Sequence, residues 1–293
     1  MRILATTREA LPFGLQHGAR VRVFCLPHAG GSAMSYRPWR ALAAPWLDIC
    51  PIELPGRGSR IAEPPIAALE PSIDHVCGIL ADVGDTPFAL FGHSAGARLA
   101  LHCTHRMSEL GGVVPIHLFV SGCDITRDHG ALHRASDAAL IAVLRELGGT
   151  PAAVLHHPGL MAALLPAIRA DLAVAAEAAR VGTPVVTCPI TAVAGRADRS
   201  VTPAGVEAWA TRTRGPFLVK WLPDGHFYGA ASAAQLLLDM AACLHTCTAL
   251  AEPPIPSAAI RPDRREGDQA PWRCGDAGIP AVTRPSPLAS ESL

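Results

Sequence analysis

One stretch, residues 88–101, constrains the fold of this chain most strongly. A short apolar run, Phe88-Ala89-Leu90-Phe91, leads into Gly92-His93-Ser94-Ala95-Gly96, and a helix-forming segment follows. Small residues two positions on either side of Ser94 allow a strand and a helix to pack closely across a sharp turn. The turn holds the serine hydroxyl above the edge of a sheet, with the N–H of Ala95 directed to the same side. A glycine-rich turn with an incidental serine is the alternative, since this five-residue pattern also occurs by chance.

The overall composition excludes several classes of partner. The chain has 293 residues, 49% of them hydrophobic, with 25 basic and 25 acidic side chains. This balance gives no net positive charge to attract nucleic acid or an anionic membrane, so we expect neither as a partner. The N-terminal residues lack the apolar segment of a signal peptide, and no uninterrupted apolar stretch reaches the ~18 residues of a membrane span. We therefore expect a soluble, cytoplasmic protein.

The nine cysteines are scattered along the chain. Cys25 and Cys188, among others, lie in or beside apolar strand-like runs, and we interpret them as small core residues in a reducing compartment. Cys243 and Cys247 flank His245, but no fourth ligand of a zinc site accompanies them. We expect ordinary thiols at these positions and no metal site.

Apolar strand-like runs alternate with helical patterns along the chain. Such alternation is typical of an α/β fold, with a mostly parallel sheet flanked by helices on both faces. The predicted strands are 21–26, 48–54, 88–91, 116–122, 189–194 and 217–222, and predicted helices include 69–83 and 231–245.

The fourth and fifth predicted strands are separated by more than sixty residues that do not continue this alternation. Helical apolar spacing occurs at 137–147 and again at 160–179. We interpret residues from about 124 to 187 as a helical lid insertion over Ser94 that carries a substrate pocket. A plain helical crossover is the alternative, although one helix would suffice for that.

The predicted domain spans residues 21–250. An N-terminal extension, 1–20, precedes it, and a tail, 251–293, follows it. The tail has eight prolines in 43 residues, scattered charges and little periodicity. Such a segment cannot bury enough apolar surface to order itself, so we expect it to be disordered.

Ser94 has candidate partners for nucleophilic catalysis. A serine hydroxyl needs a base, and His226 follows the last predicted strand, at the edge of a parallel sheet where Ser94 also emerges. The base needs a carboxylate that fixes its tautomer. Asp198 follows the strand at 189–194, and the chain order Ser94, Asp198, His226 is that of an α/β-hydrolase. Asp124, which follows the preceding strand, is the alternative acid.

The loop after the first strand, Pro27-His28-Ala29-Gly30-Gly31-Ser32, is rich in glycine. Its backbone can approach a ligand closely and leaves N–H groups free to donate. His28 flanks this loop and is a candidate for lining the site. His93 lies inside the turn at Ser94, and we expect its ring to point away from the hydroxyl, into the structure.

Together these motifs resemble the type II thioesterases, the editing enzymes of nonribosomal-peptide and polyketide synthases. The resemblance covers about 21–244. Besides the two glycine-containing loops above, it rests on Leu54-Pro55-Gly56-Arg57, Leu118-Phe119-Val120-Ser121-Gly122, Leu165-Pro166-Ala167-Ile168-Arg169-Ala170-Asp171, Cys188-Pro189-Ile190 and Gly225-His226-Phe227.

The resemblance implies a serine hydrolase of α/β-hydrolase fold that removes acyl or aminoacyl groups from the phosphopantetheine thiol of carrier domains. It implies Ser94 as nucleophile, His226 as base and Asp198 as acid. The implied oxyanion donors are the backbone N–H groups of Ala29 and Ala95. The implied partners are acyl carrier and peptidyl carrier domains of a synthase in antibiotic biosynthesis. No cofactor is implied, because the substrate is carried on the partner's phosphopantetheine.

Two positions depart from the family pattern. The residue after the nucleophile is usually methionine, and here it is Ala95. Because this position contributes a backbone N–H, we expect the oxyanion site to persist beside a roomier pocket. The family also favours two glycines before the histidine, whereas Asp224 and Gly225 stand here. The Asp224 carboxylate could therefore compete with Asp198 for His226.

Three other functions stay open at this point. The same triad could transfer the acyl group to an alcohol or amine, or cyclise it. It could also act on oxygen esters, as a generic lipase or esterase does. A catalytically idle hydrolase fold that binds a synthase is the third, although idle relatives usually lack a triad residue and none is missing here. Fold alone does not decide among them.

Overall fold

A sheet of six parallel strands forms the centre of the molecule. The computed structural model describes residues 5–127 and 130–251. In chain order the strands are β1 (Val21–Leu26), β2 (Leu47–Pro51), β3 (Phe88–His93), β4 (Leu118–Ser121), β5 (Ile190–Gly195) and β6 (Phe217–Leu222). Their order across the sheet is β2-β1-β3-β4-β5-β6, and each neighbouring pair is parallel. The predicted α/β fold is confirmed.

Helices connect the strands and cover the sheet. They are α1 (Ala5–Ala10), α2 (Arg37–Leu42), α3 (Leu69–Asp82), α4 (Ala95–Glu109), α5 (Asp137–Leu147), α6 (Ala152–Leu155), α7 (Pro158–Arg180), α8 (Pro203–Glu207) and α9 (Ala230–Ala251). Short 3-10 helices lie at Ala33–Tyr36, Gly58–Arg60, Leu132–Arg134 and Ala208–Arg212.

Two hydrophobic cores lie on opposite faces of the sheet. Successive strand residues point to opposite faces, so strands covered on both sides are apolar at nearly every position. One core contains Phe24 and Leu90 together with residues of α3 and α4. The other contains Val23 and Phe91 together with residues of α2 and α9. With both faces covered, the loops at the carboxyl ends of the strands remain available for a site.

The described part of the segment before β1 packs on the domain. The sequence predicts an extension over 1–20, and the structure forms α1 within it. Ala10 and Leu11 are buried in the core that contains Phe24. The carbonyl of Ala10 accepts a hydrogen bond from the Glu53 N–H at 2.8 Å. The predicted tail, apart from Ala251 at the end of α9, lies outside the described residues.

The insertion between β4 and β5 contains α5, α6 and α7. Val174 and Ala178 of α7 join the core shared with α3 and α4, so this helix provides the crossover between the strands. Leu140 of α5 and Leu155 of α6 instead pack against residues of α7 in a separate, smaller cluster. The insertion therefore contains one helix that packs on the main core and two that pack on that helix.

Helix α7 is, among the described residues, the one helix long and apolar enough to cross a membrane by length and composition. Its charged side chains, however, bind other elements of the domain. Arg169 donates to the carbonyl of His133 at 2.8 Å, and Glu177 accepts the N–H of Leu69 at 2.8 Å. These contacts identify α7 as a helix of the folded domain.

Burial of His117, next to the start of β4, predicts acid-sensitive stability. Its ring stacks on Phe119, its Nε2 lies 2.8 Å from Thr191 Oγ1, and its Nδ1 lies 3.9 Å from Cys247 Sγ. Burial lowers the pKa of His117 to about 4 from an ordinary 6.5. The unfolded chain thus binds this proton at higher pH than the folded chain. The contribution of neutral His117 to the free energy of unfolding is therefore complete above pH 6.5 and is lost as the pH drops towards 4.

We therefore expect the melting temperature to decrease between pH 6.5 and pH 4, and His117→Gln to reduce that decrease. Scanning calorimetry across this range measures it. Substitution of the exposed His17 by Gln is the matched control, and an equal pH dependence in the two variants would contradict the assignment to His117.

Candidate active site

Ser94 occupies the sharp turn between β3 and α4. Its φ of 55° is positive, which among the other described residues occurs only at glycines. Two glycines make the turn possible, since a Cβ on Gly92 would lie 2.3 Å from the carbonyl oxygen of Gly96, and one on Gly96 would lie 2.4 Å from that of Leu26. The Ser94 N–H donates to the Ser121 carbonyl of β4 at 2.7 Å. The predicted strand, turn and helix are thus present.

A cavity of about 790 Å³ lies against Ser94. The loops at the carboxyl ends of the strands form one side of it, and α5 and α7 form the other. The wall formed by these helices is mainly apolar and includes Leu140, Leu144, Met161, Leu164 and Ile168. Helices α5 and α7 of the insertion therefore border the same space as the serine.

His226 and Asp198 meet at this cavity. Both are buried, and His226 Nδ1 lies 2.8 Å from Asp198 Oδ2. Ser200 supports the pair, because its N–H and hydroxyl donate to Asp198 Oδ1 at 2.8 and 2.6 Å. The Ser200 hydroxyl also lies 3.0 Å from His226 Nδ1. This arrangement directs Nδ1 towards the carboxylate and leaves Nε2 for another partner.

Asp198 is held in its ionised form. Burial by itself raises the pKa of a carboxyl group, but here hydrogen bonds and the charge of His226 outweigh it. The pKa of Asp198 therefore lies below its ordinary value. An ionised carboxylate at this position can orient the imidazole and stabilise it when it becomes charged.

Ser94 and His226 line one cavity, but within the described residues no hydrogen bond joins the Ser94 hydroxyl to the His226 ring. Contacts of this kind are often long in the absence of substrate and tighten when it binds. The catalytic roles of Ser94, His226 and Asp198 stay predictions that substitution can test.

Asp124 is engaged elsewhere. Its Oδ1 accepts hydrogen bonds from the N–H and hydroxyl of Thr126 at 3.0 and 2.7 Å. Its Oδ2 accepts from the N–H and hydroxyl of Thr202 at 3.1 and 2.7 Å. Burial opposes ionisation, yet these four bonds lower the pKa of Asp124. This carboxylate joins the loop after β4 to the start of α8, and the structure brings Asp198, not Asp124, to His226.

His28 and His93 surround the base. The His28 ring packs edge-on against Phe227 at 4.7 Å, and it borders the cavity. Burial, with smaller contributions from His226 and Arg57, lowers the pKa of His28 to about 4. At neutral pH His28 is therefore an uncharged part of the cavity wall.

The His93 ring lies behind the base, with its centroid 4.9 Å from that of His226. Its Nδ1 is 3.0 Å from Ser121 Oγ, which in turn lies 2.7 Å from the Tyr228 hydroxyl. Burial, followed by the effects of His226 and His28, keeps the pKa of His93 well below its ordinary value. A neutral His93 can support the His226 ring without competing for Asp198.

The predicted oxyanion donors flank Ser94. Ala29 and Ala95 both line the cavity, one from the glycine loop and one from the first turn of α4. Within the described residues neither backbone N–H donates to another protein group. Both are therefore available to an oxygen atom placed beside Ser94.

Asp224 is engaged at the start of α9. Its Oδ1 accepts the Gly229 N–H at 2.9 Å, and the nearby Ser232 hydroxyl, followed by this backbone N–H, lowers its pKa. The carboxylate therefore serves the N-terminal end of α9. The competition with Asp198 that its position in sequence suggested does not occur in the structure.

Sequence reasoning missed the residues that support the base. Ser200 lies two positions after Asp198, and a hydroxyl at that spacing commonly bonds back to an aspartate in a turn, so a local signal was present. Ser121 and Tyr228 come from different strands and loops, and only the folded chain places them behind His93. Within 5–127 and 130–251, no group of three His, Cys, Asp or Glu side chains is arranged to hold a metal ion.

Comparison with known proteins finds matches to thioesterases and to proteins of peptide biosynthesis. The family model described as a thioesterase domain matches residues 21–242. The gramicidin S biosynthesis protein GrsT of Aneurinibacillus migulanus is 36% identical over 222 residues, which are 75% of this chain and 87% of that protein.

The fold described above also resembles solved structures, among them two thioesterases. The type II thioesterase BorB from the borrelidin biosynthetic cluster superposes with a TM-score of 0.70 at 37% identity, covering 78% of this chain and 94% of that one. The RedJ thioesterase from the prodiginine pathway of Streptomyces coelicolor superposes with a TM-score of 0.70 at 36% identity, covering 76% and 85%.

Proposed function

This chain belongs to the thioesterase family, and we propose that it removes acyl or aminoacyl groups from the phosphopantetheine thiols of carrier domains. The proposed setting is a nonribosomal-peptide or polyketide synthase whose misprimed or stalled carriers need clearing. Its relatives support that setting, since GrsT is a gramicidin S biosynthesis protein and BorB comes from a borrelidin cluster. The proposed partners are therefore acyl carrier and peptidyl carrier domains.

One observation carries the proposal. A single cavity is lined by Ser94 at a strained turn, by the hydrogen-bonded pair His226 and Asp198, and by two available backbone N–H groups. A nucleophile, its base, an orienting carboxylate and oxyanion donors are the groups that acyl transfer through a serine requires. The apolar wall formed by α5 and α7 can accept the acyl chain.

The first half of the proposed reaction forms an acyl-enzyme. Ser94 Oγ adds to the thioester carbonyl carbon while His226 Nε2 takes the hydroxyl proton. The carbonyl oxygen becomes an oxyanion, which the N–H groups of Ala29 and Ala95 bind. The C–S bond then breaks, and His226 returns the proton to the phosphopantetheine thiolate. Asp198 stabilises the charged imidazole throughout.

The second half releases the acyl group. A water molecule gives a proton to His226 Nε2 and adds to the carbonyl carbon of the ester on Ser94. The C–O bond to Ser94 breaks, and the serine oxygen recovers the proton from His226. The products are the carboxylic acid and free enzyme. We propose that side chains and backbone of this chain suffice for both halves, with no resident cofactor.

We also propose a cytoplasmic location. Eight cysteines in the described ranges are free thiols, several of them buried. Free thiols at this number are typical of proteins in a reducing compartment.

Mass spectrometry of an acylated carrier domain tests the proposed function. We expect this protein to shift the carrier to the mass of its free phosphopantetheine form and to release the free acid. The same acyl group presented as an oxygen ester should react more slowly. Preferential cleavage of the oxygen ester would indicate a generic esterase, and an ester, amide or macrocycle as product would indicate acyl transfer or cyclisation. An unchanged carrier with every acyl group tried would contradict the proposal.

A further inference from the structure

The lid helix α7 rests directly on the glycine loop that holds a proposed oxyanion donor. Gly30 has a φ of 72°, and a Cβ at this position would lie 2.2 Å from Ile168 Cγ1 of α7. The Ile168 side chain therefore occupies the space that any larger residue at position 30 would need. The helix and the loop approach so closely that the placement of one depends on the other.

Polar contacts fix the same junction. The Gly30 N–H donates to Asp171 Oδ2 of α7 at 2.7 Å. Arg57, which is almost fully buried, donates to both Asp171 oxygens, at 2.5 and 2.8 Å. Its Nη1 also donates to the Gly31 carbonyl at 3.3 Å. Two motifs of the sequence, one ending at Arg57 and one ending at Asp171, thus meet at the glycine loop.

We propose that Asp171 and Arg57 are positioning residues for the oxyanion site. Asp171 holds the Gly30 N–H, and this fixes the backbone that carries the neighbouring Ala29 N–H. The effect of an oxyanion donor depends on where it lies relative to the oxygen, so a small displacement is costly. Through Asp171 the position of the lid helix bears on the chemical step.

Besides holding Asp171 in place, Arg57 offsets the negative charge of that carboxylate. A lone carboxylate beside a developing oxyanion would repel it, because the two negative charges interact strongly in a site with little water. The planar guanidinium of Arg57 bonds both Asp171 oxygens and offsets that charge. Asp171 can therefore anchor the loop without opposing the reaction.

The inference rests on the proposed hydrolysis at Ser94, and its test uses readouts that do not depend on the carrier. Asp171→Asn keeps the shape of the side chain but loses the charge and one acceptor oxygen. We expect kcat for a small acyl thioester to fall about 10²-fold, with KM little changed, because the donor is displaced while substrate binding is retained. The rate at which a fluorophosphonate labels Ser94 should fall in parallel, since that reaction also develops charge in the oxyanion site.

Glu177→Gln is the matched control. Glu177 is a second α7 carboxylate that accepts a backbone N–H, that of Leu69, but at the start of α3. This variant should lower the melting temperature without changing kcat or the labelling rate. If Asp171→Asn changed only the melting temperature, as the control does, the positioning role would be wrong.

Substitution of Arg57 tests whether its charge offsets that of Asp171. Arg57→Met leaves the Asp171 charge without its counter-ion, so we expect the single variant to be slower than the double variant Arg57→Met/Asp171→Asn. Arg57→Lys, which keeps the charge but not the two-pronged contact, should be intermediate and serves if the methionine variant does not fold. A double variant whose kcat is no higher than that of Arg57→Met would contradict the proposed role of Arg57. Loss of carrier hydrolysis with normal labelling would count against the proposed function instead.

Discussion

Replacing Ser94 by alanine is expected to lower thioester hydrolysis by about 10⁴-fold or more while the protein stays folded. The substitution removes the oxygen that forms the acyl-enzyme. It leaves the Ser94 N–H bond to Ser121 intact, and within the described residues the hydroxyl makes no hydrogen bond that the fold would lose. Alanine also meets the positive φ of 55° with a side chain no larger than that of serine.

Single-turnover release of acid from an acylated carrier measures this effect, and circular dichroism checks the fold. Ser35→Ala, at an exposed serine outside the cavity, is the matched control and should keep full activity. A fluorophosphonate should label the control and not the Ser94 variant. Release of acid by Ser94→Ala at close to the normal rate would show that another group is the nucleophile.

The parts of the fold that follow a strong local pattern could be predicted from sequence. β1 and β6 begin and end at the predicted residues, and so does α5, which has a serine N-cap and a glycine after its last turn. Some longer elements were predicted correctly as helices, but their first and last residues differ from the prediction. α7 extends beyond the predicted 160–179 because Pro158 at its start and Arg180 at its end do not contribute to apolar periodicity.

Elements held mainly by tertiary contacts could not be predicted. α1 has six residues and too few apolar positions for a periodic signal, and its burial against Phe24 and Leu69 appears only in the folded chain. α8, with five residues, is shorter still and is fixed by Asp124 through Thr202. Segments of this length are marginal as isolated helices, so sequence alone gives little reason to expect them.

In the candidate active site, too, some features could be predicted from sequence and others could not. Ser94, His226 and Asp198 could be placed together because each follows a strand of a parallel sheet, and topology brings those ends to one edge. The direction in which each carboxylate points was beyond sequence reasoning. Asp124 and Asp224 also follow strands, yet hydrogen bonds to Thr126, Thr202 and Gly229 direct them elsewhere.

Asp198→Asn is expected to reduce turnover by up to ~10⁴-fold per folded molecule. The amide can present its NH₂ to His226 Nδ1, which then acts as acceptor, so that the ring proton moves to Nε2. A ring in that tautomer cannot take the Ser94 proton. Ser200, 3.0 Å from Nδ1, offers an alternative acceptor, so Asp198→Asn/Ser200→Ala should be slower still. Initial rates on a small acyl thioester, with the folded fraction measured by calorimetry, give the comparison.

Asp124→Asn should behave differently because its carboxylate accepts two hydrogen bonds on each oxygen, from Thr126 and from Thr202. An amide retains one oxygen, and its NH₂ would face a backbone N–H that has lost its acceptor. We expect a loss of about 1–3 kcal/mol in the free energy of unfolding. Turnover per folded molecule should stay within about tenfold of normal. Because the folded fraction is measured, stability and chemistry are separated in both variants. A greater loss of turnover from Asp124→Asn than from Asp198→Asn would move the acid to the loop after β4 and would require His226 to leave the position it occupies in this structure.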